Sequence, residues 1–341
     1  MMVPALGGLL LAGAVLFGAA GGLAAAEIPT APVLRIETGM HGAAINGLAI
    51  DEADKQVVTV SDDKTVRLWS AVNGQLVATA RGPIGPGPEG GLYAVALSPS
   101  GKTVAVGGYT GIAWDGSAGV YLFNRQDGSW LGRITFGAIR TDVITHLAFS
   151  PDARYLAVAA NDAKGLRVVD FTGKKVEVVD AEYRDAIEWL DFAPDGRLVT
   201  TSLDGAVRLY GPDLKRRAIY HAPAGMKPYP ARINRDGSAV AVGMLNPATV
   251  MVLSGQDLKQ RAEHKGAASH KGALSLVAWS ADGSLYAAGT YGDAAGHKLI
   301  RKWSLGGDNE IAAGDDTVTG LQALKDGSLI FATGEPAWGL I

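Results

Sequence analysis

The sequence predicts an all-β fold, a seven-bladed β-propeller. Three observations carry this. The stretch Gln56 to Ser70, QVVTVSDDKTVRLWS, reads as two short strands around a tight turn. Leu198 to Tyr210, LVTTSLDGAVRLY, repeats it with the same spacing of Ser, Asp, Val-Arg-Leu and an aromatic, and Leu299 to Ser304 repeats its last part. One apolar position, at Leu48, Val95, Leu147, Leu190, Ala231, Val277 and Leu321, recurs roughly every 41 to 52 residues, the period of a propeller blade.

Taken in order, each unit follows one plan. A strand such as Ile144 to Ser150 is followed by a turn at Pro151-Asp152-Ala153, then by strands over Tyr155 to Asn161, Gly165 to Phe171 and Lys175 to Ala181. Pro or Asp-Gly marks the first turn of most units, as in Ser98-Pro99-Ser100-Gly101, Ala193-Pro194-Asp195-Gly196 and Asn234-Arg235-Asp236-Gly237; these residues preset tight reversals. Runs such as Val104-Ala105-Val106 are apolar on both strand faces, which suits sheets packed between sheets. No segment has helical periodicity. The seventh unit has strands over Val318 to Leu324, Ser328 to Thr333 and Ala337 to Ile341 but lacks a fourth. Val33 to Gly39, VLRIETG, is a lone strand, expected to complete that last blade and close the ring.

Residues 1–26 read as a signal peptide, with 27–341 as the propeller. Ala5 to Leu23 is apolar and uncharged, and Ala24-Ala25-Ala26 offers a small-residue cleavage site before Glu27. The n-region has no Lys or Arg, so an uncleaved membrane anchor is the rival reading. The expected location is therefore exported, in the periplasm or cell envelope, with membrane attachment only if the segment is retained. The chain has no Cys, which excludes disulfides, thiolate nucleophiles and Cys-type metal sites. A net charge of −3 with 19% charged residues argues against a nucleic-acid partner.

The motif Ser61-x-Asp63-x-Thr65-Val66-Arg67-Leu68-Trp69, with Gly39-Met40-His41 before it and the Pro-Asp-Gly-type turns, resembles the WD40-repeat propellers. The resemblance covers Val33 to Ile341 and implies a WD40-type propeller acting as a protein-interaction scaffold. In that family a His, a turn Asp, a strand-two Ser or Thr and a strand-three Trp form a hydrogen-bonded structural set; here those roles would fall on His41, Asp63, Ser61 and Trp69. Blade four keeps Ser202, Asp204 and Tyr210 but has Tyr183 where the His is expected, and blade six keeps His270 and Trp303. The phrases LRIETGMH, SPSGKTVAVGGYTG and VVDFTGKKV are similar to exported bacterial members, some of which carry a caspase-like peptidase domain after the propeller. Without a Cys nucleophile no peptidase chemistry is assigned to this chain.

Candidate chemistry is sparse. Gly85-Pro86-Gly87-Pro88-Glu89-Gly90 matches G-x-G-x-x-G by letter, but its prolines forbid the helix start a dinucleotide site needs. No His pair has metal-ligand spacing, and Glu263, His264 and His270 read as a solvated loop. No metal, cofactor or catalytic residue is assigned. The rival reading, a propeller hydrolase or lyase, rests on His146, Asp142, Asp185 and Glu188. The long insertions at Gly82 to Gly91, Tyr109 to Gly119 and Tyr291 to His297 all belong to junctions that open on one face. That face is expected to bind a protein partner through Trp114, Asp115, Arg140, Tyr183, Arg184, Tyr229 and Tyr291.

Deleting Val33 to Gly39 tests the closure. The truncated chain is expected to aggregate or unfold without a sharp transition, whereas an unchanged melting curve would show that the ends are not joined in this way.

Overall fold

The structure, a computed structural model, describes residues 39–51, 56–136, 143–171 and 175–341. The side chains at 113 and 114 lie outside this set, as do the lone strand before Gly39, the segment 1–26, Arg140 and Asp142.

Among the described residues seven antiparallel sheets follow one another along the chain, six of four strands and the last of three. In each, successive strands pair with their sequence neighbours, and the first strand lies innermost. The inner strands are Ile45–Ile50, Leu92–Leu97, Ile144–Phe149, Ile187–Phe192, Pro228–Ile233, Leu276–Trp279 and Val318–Ala323. Each packs against the inner strand of the next blade, and the seventh packs against the first, so the ring closes. The fold is a seven-bladed β-propeller.

Seven apolar clusters fill the seven spaces between neighbouring blades. Between blades one and two, Val58, Val60, Val66 and Leu68 meet Val95, Val104, Val106, Tyr121 and Phe123. Between blades seven and one, Leu324, Ile330 and Trp338 meet Ile50, Val57 and Trp69, with the two indoles 6.1 Å apart. The second and third strands of a blade thus bury both faces, which is why Val104-Ala105-Val106 and Ala239-Val240-Ala241 carry no polar alternation. The only helix among the described residues is the single turn Ile112–Asp115, in the loop joining strands two and three of blade two.

Hydrogen-bonded networks tie the turns to the sheets. In blade one, His41 Nδ1 lies 2.9 Å from Asp63 Oδ2 and its Nε2 lies 2.7 Å from Thr59 Oγ1, which also accepts a 2.8 Å bond from Trp69 Nε1. The order of donors is self-consistent: the indole N–H donates to Thr59, the Thr59 hydroxyl to His41, and His41 Nδ1–H to Asp63. The resemblance placed the strand-two role on Ser61, and this is corrected. Thr59 is the link to the indole, because side chains two residues apart share a strand face but only Thr59 lies at the depth of the ring. Ser61 caps the turn instead, donating to Ala43 O at 3.0 Å and accepting from Asp63 N at 3.0 Å.

Blade four repeats the scheme with a tyrosine. Tyr183 is 5% exposed, and its hydroxyl lies 2.7 Å from both Thr200 Oγ1 and Tyr210 OH, while Tyr210 donates to Asp180 at 2.8 Å. Asp204 pairs with Arg208 at 2.7 Å, and that guanidinium lies 4.0 Å above the Tyr183 ring. Thr200, not Ser202, is again the link, and Ser202 caps the turn through Asp204 N at 3.2 Å. In blade six His270 bonds Glu310 at 3.0 Å, and Glu310 also accepts from Tyr291 at 2.6 Å; Trp303 is buried beside His264.

Burial on its own would raise the Asp63 carboxyl, yet the bonds from His41, Thr65 and Gly42 N hold it well below the usual carboxylate range. A depressed folded pKa contributes stability above the unfolded value of about 3.9, lost as pH falls through the folded value. Asp63→Asn is therefore expected to flatten the acid limb of the stability curve below about pH 4. Thr59→Val leaves two buried ring nitrogens unpaired and should cost about 1–3 kcal/mol in urea unfolding; an unchanged midpoint would refute the linking role.

Candidate functional site

The site is built by an irregularity that the inner strands share. In six of the seven, the register against strand two slips by one residue near the strand start, which is a β-bulge. The extra residue is Asn46, Tyr93, Thr145, Glu188, Tyr229 or Thr319, and all six line one cavity of about 320 Å³ on the propeller axis. A bulge turns a side chain out of the alternating pattern, here from between the blades into the central channel. The residue after the bulge must then fit where two blades converge. It is Gly47 in blade one, where a Cβ would come within 2.8 Å of the Tyr93 carbonyl oxygen, and Gly320 in blade seven.

Blades three to five use larger residues at the equivalent places. His146 and Trp189 stack with ring centroids 3.7 Å apart. Two positions further along, Asp191 and Arg232 form an ion pair at 2.8 Å, and Asp191 also accepts from Ile233 N at 2.9 Å. The Arg232 guanidinium lies 4.9 Å from the Trp189 ring. Burial, aided by the Arg232 charge, holds the His146 imidazole well below its ordinary pKa and therefore neutral. Three polar atoms of this wall, His146 Nδ1, Trp189 Nε1 and Thr319 Oγ1, are buried without a hydrogen-bond partner.

Glu188 stands at the mouth. Burial raises its pKa and the Asp185 charge adds to this, with Lys227 pulling the other way. Nearby, burial pushes the Tyr229 hydroxyl up to about 12, with the Glu188 charge contributing. Tyr93 and Tyr109 meet edge to face at 5.7 Å, and the Tyr93 hydroxyl bonds Asp62 and is pushed up to about 12 by burial and that carboxylate.

The mouth opens on the face that bears the insertions. Gly90 N donates to Tyr109 O at 2.6 Å and Gly111 N to Glu89 Oε1 at 2.5 Å, so the first two insertions support each other. Lys64 Nζ donates to Gly85 O and Gly87 O at 2.9 and 2.8 Å. In blade six, Lys271 of the entering loop bridges to Gly292 of the third insertion.

The residues expected to meet a partner divide. Tyr183 and Tyr291 do not present their rings to one: Tyr183 sits in the blade-four network, and Tyr291 is fully buried, its hydroxyl held by Glu310 and Ala267 N. Asp115 is on the surface but is held by Arg133 at 2.7 Å. Arg184 is exposed, and Tyr229 is half-buried in the cavity wall. Arg140 and the Trp114 side chain lie outside the described residues. Of the set behind the enzyme reading, His146 and Glu188 share the cavity, Asp185 is exposed on the rim, and Asp142 is not described. Among the described residues no three His, Asp or Glu side chains could hold a metal ion, and no helix is long and apolar enough to cross a membrane.

The family model WD40, described as WD domain, G-beta repeat, matches residues 35–70 and 173–211, which carry the networks of blades one and four. The chain is a seven-bladed propeller, and two of its blades contain segments that match the WD40 repeat. A comparison with curated proteins finds no match. WD40 propellers generally serve as protein-interaction scaffolds, and they are typically non-catalytic. Of the cavity residues the sequence reading singles out Glu188 and Tyr229 and misses Asn46, Tyr93, Thr145 and Thr319; all six lie two positions before the recurring apolar residue, where a polar side chain has no place in a core strand.

Glu188 has no ion-pair partner among the described residues. A carboxyl whose folded pKa is raised opposes folding above its unfolded value of about 4.3. Glu188→Gln is therefore expected to raise the melting temperature at pH 7 and to make no difference below about pH 4. A lower melting temperature at pH 7 would show that the carboxylate is paired.

Proposed function

We propose that the chain is a non-catalytic, exported scaffold that binds a protein partner through the insertion-bearing face of the propeller. The observation that carries this reading is that the cavity mouth and the three insertions share one face. Loops held on a rigid scaffold are where binding groups are generally placed, and these loops are braced by bonds to one another. Exposed Arg184 and half-buried Tyr229 give this face the arginine and tyrosine in which interfaces are enriched. Export rests on the apolar run Ala5 to Leu23 and the small residues before Glu27.

The absence of Cys permits a direct test. Arg184→Cys on the rim and Lys102→Cys, exposed in the strand-one to strand-two turn on the opposite face, can each be coupled to a bulky maleimide. Proteins captured from an envelope extract are then compared. Labelled Arg184→Cys should lose the captured protein and labelled Lys102→Cys should keep it. Retention by both, or loss from the Lys102 label alone, overturns the assignment of the face.

A further inference from the structure

We propose that the cavity mouth takes a basic side chain, arginine or lysine, from a segment of the partner protein. This rests on the proposed binding face and names the chemistry it recognises. Among the described residues two charged groups line the cavity, Glu188 and Arg232. Arg232 is balanced by Asp191 at 2.8 Å, and His146 is neutral. Glu188 feels the charge of Lys227 but has no ion-pair partner among the described residues. A carboxylate drawn out of water without a partner favours an incoming cation, which restores the lost solvation as an ion pair. An anionic ligand would meet this carboxylate and Asp185 beside it.

The remaining groups suit the same guest. Tyr93, Tyr109 and Tyr229 line the cavity together with Glu188, and a cation is attracted to aromatic faces within about 6 Å. At about 320 Å³ the cavity accommodates one long side chain and not a folded element. Trp189 Nε1 can only donate, and it is buried with no acceptor among the described residues. A peptide supplies a carbonyl as well as a cation, whereas a free amine supplies only the cation. The geometry therefore favours a protein segment over a small organic cation.

The test uses the full chain and four probes: the peptide acetyl-Gly-Gly-Arg-Gly-Gly-amide, the same peptide with lysine or with citrulline at the centre, and ethylguanidine. Calorimetric titration reads affinity. The arginine and lysine peptides should bind saturably, and citrulline, of similar shape but uncharged, at least about tenfold more weakly. Glu188→Gln should abolish the preference for arginine over citrulline, and Tyr229→Leu should weaken the basic peptides several-fold. Glu177→Gln, on the outer strand of blade three, should change nothing. Equal binding of arginine and citrulline peptides, or no saturable binding of the basic ones, overturns the inference. Ethylguanidine binding as tightly as the peptide overturns the part that requires a protein segment. Failure here with the labelled-cysteine result intact would leave the binding face standing and remove only its chemistry.

Discussion

The propeller depends on how closely its inner strands approach one another at the axis. Seven sheets radiating from one line have least room where they meet, so the inner strands must either carry small residues or turn side chains out of the convergence. This chain does both. Gly47, Ala94 and Gly320 keep the convergence narrow, and the bulges rotate one neighbouring residue per strand into the channel. The channel lining is thus a by-product of packing. Because those residues no longer belong to the core between blades, their chemistry is free to vary. They are Asn, Tyr, Thr, Glu, Tyr and Thr in six successive steps around the ring, skipping blade six. Scaffold and site are separated at the level of single residues in one strand.

The blades differ in how their turns are secured. Blade one uses the imidazole, hydroxyl and indole chain anchored on Asp63, and blade four replaces imidazole and indole by two phenols anchored on Asp180. Both solve one problem: a polar ring inserted between strands must find partners for every buried donor. The phenol version keeps the hydroxyl of Thr200 as its link, so the strand-two threonine is the shared element and the rings are interchangeable. The family model matches residues 35–70 and 173–211, the segments that contain these two solutions.

Much of the fold was legible because it follows from local chemistry. Pro-Asp-Gly turns and β-branched runs fix strand ends, and the strands over Ile144–Phe149, Tyr155–Ala160 and Lys175–Asp180 start where the sequence places them and end one residue earlier. The site was less legible. The resemblance puts the strand-two role on Ser61, because spacing within a motif does not say how deep a side chain lies. Tyr183 and Tyr291 were assigned to the surface because both lie in segments joining strands, and an aromatic there looks exposed until the neighbouring blade is added. In each case the missing information is a contact between residues distant in sequence, such as Tyr291 with Glu310 or Tyr183 with Tyr210.

The same reasoning explains why blades three to five stand apart. In the other bulged blades the position after the bulge is small or apolar, but in blades three and four it holds His146 stacked on Trp189, and two positions further along Asp191 pairs with Arg232 of blade five. A stacked pair and an ion pair are directional, and directional contacts between blades fix the wall of the channel more tightly than aliphatic packing does. Glu188 lies within this sector, on the strand that carries Trp189 and Asp191. Its carboxylate is costly to hold where it is, and a rigid wall on one side keeps it from relaxing away from the channel. Under the proposed binding face, such a fixed wall would hold the carboxylate in place for an incoming group, since preorganisation lowers the cost of binding.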